Sequence, residues 1–177
     1  DFAFEPGVTT RVGHPLVHVL RGLSLNSAAC RLDWIRAAGA FNPGLRMYED
    51  LDALARLALM GPWHFTRRVV SRVRRMDDPT GLALTTVAAR DKVKSTGLLV
   101  GIFGALLAAP GLSPADAQLV RTALSGALFN EARARRRYSR KAAFLQPLIR
   151  SARCHPSPWR GWSKAAVLLA AGHRGYD

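Results

Sequence analysis

Residues 39–61 read G-A-F-N-P-G-L-R-M-Y-E-D-L-D-A-L-A-R-L-A-L-M-G. The chain reverses at Asn42-Pro43-Gly44, where proline fixes φ and glycine tolerates conformations that other residues avoid. Beyond the turn, Leu51, Leu54, Ala55 and Ala58 recur at i, i+3, i+4 and i+7. That spacing predicts a helix beginning near Glu49 with those four side chains on its buried stripe. Gly61-Pro62 ends it. Glu49 and Asp50 therefore fall in or just before the first turn, where unpaired backbone N–H groups favour negative charge. Two readings of the acids stand open. They decorate a helix start, worth about 0.3–1 kcal/mol each, or they form the working end of an active site.

Upstream of the turn, Phe41 offers a large apolar anchor, and Asp33 can cap a short helix, W-I-R-A-A, which Gly39 stops by accepting a left-handed backbone. Residues 23–29 (L-S-L-N-S-A-A) alternate briefly, as a short strand does. Residues 1–22 hold Pro6, Gly7, Gly13, Pro15 and Gly22 and read as a loop-rich entry. Downstream, residues 63–73 (W-H-F-T-R-R-V-V-S-R-V) are rich in β-branched and aromatic side chains and suit one or two strands. The polar break R-R-M-D-D-P-T-G follows. From about Leu82 the pattern is helical. Ser113-Pro114-Ala115-Asp116 reads as a helix start, with Ser as cap, Pro at the first position and Asp three residues after the cap. That helix is expected to reach about Arg137, and another to cover residues 140–151. Residues 154–162 (C-H-P-S-P-W-R-G-W) read as a rigid loop before a last short helix. A composition shift near residue 80 thus separates a mixed α/β part, 1–80, from an all-helical part, 81–177.

The chain has 177 residues, enough for one domain with a real core or for parts of two. An apolar content of 49% argues for a folded protein. A formal charge of +14 points to anionic partners: nucleic acid, phosphorylated substrates or an acidic membrane face. Cys30 and Cys154 lie far apart and build no disulfide framework, so free thiols in a reducing cytosol are expected. No initiating Met stands at Asp1, and the expectation is a fragment or a processed chain. The most apolar run, residues 97–110, falls short of the ~20 residues that span a bilayer and reads as a buried or interfacial helix.

Taken in order, the strand-like residues, the short helix, G-A-F-N-P-G-L, E-D-L-D-A-L-A-R-L-A-L-M-G and the strand ending in arginine resemble the C-terminal half of the catalytic domain in family-2 glycosyltransferases of the GT-A fold. That family carries a G-G-F-D-E turn, an E-D-x-D-L-x-x-R helix start and a Y-R strand end. The matching positions include Gly39, Phe41, Glu49, Asp50, Asp52, Arg56, Gly61 and Arg75, and the resemblance covers residues 23–84. Asn42 and Pro43 stand where the family has acids, and Ala40 replaces its second glycine. No D-x-D precedes Gly39. The implied fold class is α/β: a partial GT-A (nucleotide-diphospho-sugar transferase) domain without its N-terminal Rossmann-like half, followed by a helical C-terminal region.

The resemblance implies an inverting transferase that moves a sugar from a nucleotide-diphosphate donor to a saccharide or lipid-linked acceptor. Such bacterial enzymes work in polysaccharide and cell-envelope synthesis, in the cytoplasm or at the inner membrane face. It further implies a divalent metal, Mg or Mn, held mostly by residues outside this chain, and a fragment that is inactive alone. Asp50 would be the general base and Glu49 would orient the acceptor or Asp50's surroundings. A carboxylate suits the role because it is ionised at neutral pH and can sit within hydrogen-bond reach of a hydroxyl.

Arg75 and Arg74, with Arg72, would reach the donor diphosphate or form a solvated strand end. Arg56 would contact substrate or pair with Asp52 at i, i+4. The histidines His14, His18, His64, His155 and His173 show no ligand spacing, and no metal ligand is assigned within the chain. Residues 133–141 carry six basic side chains, which fits a solvated face, an anionic membrane or nucleic acid. No helix-turn-helix pattern or RNA-binding aromatic motif favours nucleic acid. The different-class alternative to an enzyme is a basic helical module that binds nucleic acid or an anionic membrane surface.

Overall fold

The computed structural model describes residues 10–66, 86, 90–138 and 142–171, and the chain divides into two compact units, residues 1–77 and 78–177. Arg72, Arg74 and Arg75 lie outside the described residues, as does the expected strand continuation after Thr66.

In the first unit, β1 (Thr10–Gly13) pairs antiparallel with β2 (Trp63–Thr66), with Thr10 opposite Thr66 and Gly13 opposite Trp63. Between them come α1 (Leu16–Leu20), a 3-10 turn (Leu25–Ser27), α2 (Leu32–Ala37) and α3 (Glu49–Ala58). Leu16 and Val19 of α1 are completely buried, and α1 packs on α3. Helix α3 supplies much of the remaining core through Ala53, Leu54, Ala55, Leu57 and Ala58. Leu51, expected on its buried stripe, is only half-buried.

This architecture overturns the α/β expectation. Among the described residues the chain is mostly helical, and its sheet is a single pair of four-residue antiparallel strands. It is not an α/β GT-A half-domain. One cause is visible at residues 23–29, where a strand was expected. Ser24 Oγ accepts a hydrogen bond from Asn26 N at 3.3 Å, and the chain coils into the 3-10 turn Leu25–Ser27. A short polar side chain bonded to nearby backbone gives the peptide groups an alternative to a strand ladder. Two smaller expectations also change. Phe41 is exposed rather than an anchor. Asp33 lies inside α2's first turn and does not cap it, pairing instead with Arg31 at 2.6 Å. That guanidinium holds the Asp33 carboxyl below the usual carboxylate range.

The second unit is all helical in its described residues: α4 (Lys92–Leu107), α5 (Pro114–Tyr138), a 3-10 turn (Ala142–Phe144), α6 (Leu145–Cys154) and α7 (Pro158–Ala171). Asp91 caps α4 by accepting from Lys94 N at 2.9 Å. The start of α5 is the capping arrangement that its sequence announces. Asp116 N donates to Ser113 Oγ at 3.1 Å, and Ser113 Oγ donates to Asp116 Oδ2 at 2.7 Å. The apolar run 97–110 lies mainly in α4 and buries Ile102, Phe103 and Leu106. Among the described residues no helix is long and apolar enough to cross a membrane.

Helix α5 packs against α4 and α6, and α6 packs against α7. Small residues allow close approach. Ser125 of α5 and Ser151 of α6 are both buried, and each hydroxyl donates to the other's carbonyl, at 2.9 and 2.8 Å. Farther along, Ala132, Leu148, Ala152, Ala165 and Leu168 form one cluster, with Phe129 and Phe144 packed against it. The expected loop over residues 154–162 shrinks to residues 155–157, because Pro158 opens a helix, a position where its missing N–H costs nothing.

Gly161 explains how α7 can lie so near α6. A Cβ there would stand 2.6 Å from the Ala152 carbonyl oxygen and 3.0 Å from His155 Cβ. Gly161→Ala should therefore destabilise the second unit by about 1–3 kcal/mol, as overpacking does. Urea unfolding would read this, and an unchanged midpoint would show that the two helices are not held this closely. Cys154, at the end of α6, donates to Ser151 O at 3.6 Å. Burial raises its thiol pKa and keeps it protonated.

Candidate functional site

The two acids of the E-D pair open α3. Their position is set by the loop before them, residues 38–48. Helix α2 ends in a paired motif: Gly39 N donates to Arg36 O at 3.0 Å and Ala40 N to Ile35 O at 2.8 Å. This is the Schellman arrangement, which places a left-handed residue just past the helix, and Gly39 fills it with φ 88°. Ala40 follows at φ 53°, also left-handed, though it carries a Cβ. Next, Asn42 Oδ1 accepts from Gly44 N at 2.9 Å and Asn42 O from Leu45 N at 3.1 Å, closing the turn. Met47 is buried, and Tyr48 takes a third left-handed conformation, φ 63° and ψ 19°, directly before Glu49. Left-handed backbone costs a residue with a Cβ about 1–2 kcal/mol. Two such residues, Ala40 and Tyr48, bracket the loop that delivers the acids, a concentration of strain that is characteristic of functional sites.

The loop is held by Arg56. Its Nε and Nη2 donate to Asp52 Oδ2 at 3.2 and 2.7 Å. Nη2 also donates to Ala40 O at 2.6 Å, and Nη1 donates to Ala38 O. The guanidinium thus joins a buried carboxylate on α3 to the carbonyls that α2 and its turn leave unpaired. Asp52 is 8% exposed, so the pair works in a largely desolvated place. Arg56 is seven residues past Glu49, about 10 Å along the helix. Its head turns toward α2, so the structure commits it to positioning the loop and does not bring it beside Glu49 and Asp50. The i, i+4 spacing announced the Asp52 pair; nothing local announced the two carbonyls.

Ala40 offers a direct check on the strain. Ala40→Gly should stabilise the first unit by about 0.5–1 kcal/mol, because relief of the left-handed penalty exceeds glycine's extra unfolded-state entropy. A loss of stability in urea unfolding would contradict the strained assignment.

Asp50 is half-buried. Its Oδ1 accepts from Leu51 N at 2.7 Å, and its Oδ2 accepts no hydrogen bond from the described residues. Glu49 is half-buried and makes no ion pair with the described residues. One carboxylate oxygen is thus fixed by backbone while the other stays available, which is what a proton acceptor requires. Asp50, Leu54 and Leu57 fall on one face of α3 by helical spacing. Leu54 and Leu57 line a cavity of about 600 Å3 together with Trp34, Trp63 and His64. The acids themselves are not in its lining; Asp50 stands one turn before Leu54. The aromatic lining is a feature that sequence reading missed, since Trp34 and Trp63 come to one cavity only through folding.

Among the described residues no three His, Cys, Asp or Glu side chains come together to hold a metal. The Mg or Mn expected from the resemblance therefore has no ligand set there. His18 packs edge-on against Phe65 with ring centroids 5.1 Å apart, and His155 Nδ1 accepts from Ser157 N at 2.9 Å. Of the basic run 133–141, Arg135 pairs with buried Glu131 at 2.7 Å, and Arg136 donates to Leu168 O while lying 5.3 Å from the Phe144 ring centre. Arg140 and Lys141 lie outside the described residues.

Comparison of the chain with known protein families, with curated proteins and with solved structures finds no match.

Proposed function

We propose that the first turn of α3 is the acceptor-side catalytic element of an inverting glycosyltransferase. The observation that carries this reading is Asp50: one oxygen anchored to Leu51 N, the other open, at the end of a strained loop clamped by Arg56. Sugar transfer to a hydroxyl needs such a group. The base takes the hydroxyl proton while that oxygen attacks the anomeric carbon, the bond to the donor's diphosphate breaks, and configuration inverts. Effective base catalysis depends on placement within hydrogen-bond reach, and a rigidly delivered carboxylate supplies it.

In this reading Asp50 is the base, Glu49 orients the acceptor, and Arg56 is a positioning residue. Arg74 and Arg75 are assigned to the donor diphosphate. The donor nucleotide and its divalent metal are held by polypeptide outside the described residues, and no step here passes through the metal. The proposal concerns the chemistry of this helix start and does not carry an α/β sheet with it. Acceptor, donor and setting follow the same reading: a saccharide or lipid-linked acceptor, a nucleotide sugar, and the cytoplasmic side of a bacterial membrane.

The test is transfer itself. Protein that contains this chain is incubated with nucleotide sugars and with saccharide and lipid-linked acceptors. The expected result is an acceptor heavier by one glycosyl unit with one nucleoside diphosphate released. The 177-residue chain alone should give none. Binding to polyanions with no transfer under any donor would favour the basic-module alternative instead.

A further inference from the structure

Among the described residues, helix α7 carries an apolar face left largely exposed. Its buried stripe is Gly161, Ala165 and Leu168, which fastens it to the rest of the second unit. On the opposite side, Trp159 is 76% exposed and Trp162 49%, and Ala166, Val167, Leu169 and Ala170 are exposed with them. At about 100° per residue these side chains occupy one continuous arc of roughly 160°, interrupted only by Ser163. Arg160 and Lys164, both exposed, border the arc on one side. A face with two indoles and two branched aliphatics in water marks a contact surface.

Charge identifies the contact. Residues 132–176 contain eleven Lys and Arg and no Asp or Glu. Exposed Arg150 and Arg153 on α6 add to the field around α7. We propose that the exposed face of α7 docks on an anionic lipid bilayer, lying in the interface rather than crossing it. Trp159, Trp162, Val167 and Leu169 enter the boundary between headgroups and acyl chains, and Arg160 and Lys164 meet anionic headgroups. An apolar centre with tryptophans and a cationic border is the arrangement that partitions into that boundary. Nucleic acid would be met by charge across the face rather than by aliphatic side chains at its centre. With 14 residues α7 is too short to span, so it lies flat. The face is also preformed: Arg136 donates to Leu168 O and holds α7 in place, so docking needs no folding step. This inference is independent of the role given to Asp50.

The test is flotation of the full 177-residue chain with vesicles. Phosphatidylglycerol mixed into phosphatidylcholine is expected to carry the chain upward, and pure phosphatidylcholine or high salt to release it. Trp159→Ser with Trp162→Ser should weaken binding roughly tenfold or more. Arg160→Gln and Lys164→Gln should each weaken it about five-fold on anionic vesicles only. Circular dichroism identifies any misfolded variant. Independently of mutation, acyl-brominated lipid should quench tryptophan emission from the unaltered chain. Failure to float with anionic vesicles, flotation indifferent to the tryptophan pair, or absence of quenching each overturns the proposal. So would a Trp-dependent dimer, or Trp-dependent binding to RNA, formed without affinity for vesicles.

Discussion

Asp50→Asn should slow sugar transfer by the transfer-competent protein about 10²–10⁴-fold, the usual contribution of a positioned general base. Asparagine is nearly isosteric with aspartate. Its side-chain oxygen can still accept from Leu51 N, the bond that Asp50 Oδ1 makes at 2.7 Å. What it lacks is an anionic oxygen able to take a proton at neutral pH. The loss should therefore appear in kcat, with the donor KM nearly unchanged, because the base touches the acceptor and not the donor. Stability should fall by no more than about 1 kcal/mol, since asparagine also suits a helix start. If the acids only decorate the helix, the pattern reverses, with activity nearly intact. A folded Asp50→Asn protein that turns over at the wild-type rate would end the catalytic assignment.

Arg56→Leu should destabilise the first unit by about 3–4 kcal/mol. The Asp52–Arg56 pair is neither at the surface nor fully enclosed: the two side chains keep 12% and 26% of their exposure. An exposed pair would contribute at most about 1 kcal/mol. Removing one partner of a buried pair costs about 3–5 kcal/mol, because the other charge is left without compensation. Asp52, 8% exposed, belongs to the second case, and partial exposure of Arg56 places the value in the lower part of that range. The carbonyls of Ala38 and Ala40 also lose their donors. Lysine should rescue little, since a single ammonium cannot satisfy a carboxylate and two carbonyls in a fork geometry. Asp52→Asn added to Arg56→Leu should recover part of the loss by removing the stranded charge. Urea unfolding of the full chain, followed through a probe in the first unit, measures all three variants. A shift under 1 kcal/mol for Arg56→Leu would show that the loop before Glu49 is held by something else.

The expected glycosyltransferase-like sheet is the main point at which sequence and structure part. Residues 23–29 alternate as a strand would, yet alternation over seven residues with Ser24 and Asn26 among them is weak evidence. Ser24 instead caps a 3-10 turn, its Oγ accepting from Asn26 N. The loop expected over residues 154–162 is likewise confined to residues 155–157. Two prolines and two tryptophans suggest irregular backbone, but Pro158 at a helix start and Gly161 against Ala152 favour a helix that only the neighbouring α6 makes visible.

By itself the sequence determined the elements whose causes are local. Helix α3 begins at Glu49 because polar, apolar and small residues recur at the helical period after a turn. Helix α5 begins at Pro114 because Ser113 Oγ accepts from the Asp116 N–H three residues on and donates in turn to the Asp116 carboxylate. Only the tertiary structure decided the rest. Arg56 bonds carbonyls 16 and 18 residues away, Trp34 and Trp63 share a cavity wall, and α7 turns its tryptophans outward. Caps and periodicity act within a turn or two of backbone, so residue order alone reveals them. A guanidinium's partners and a helix's exposed face depend on which distant segments pack together, and that is settled by the sum of many weak contacts across the fold.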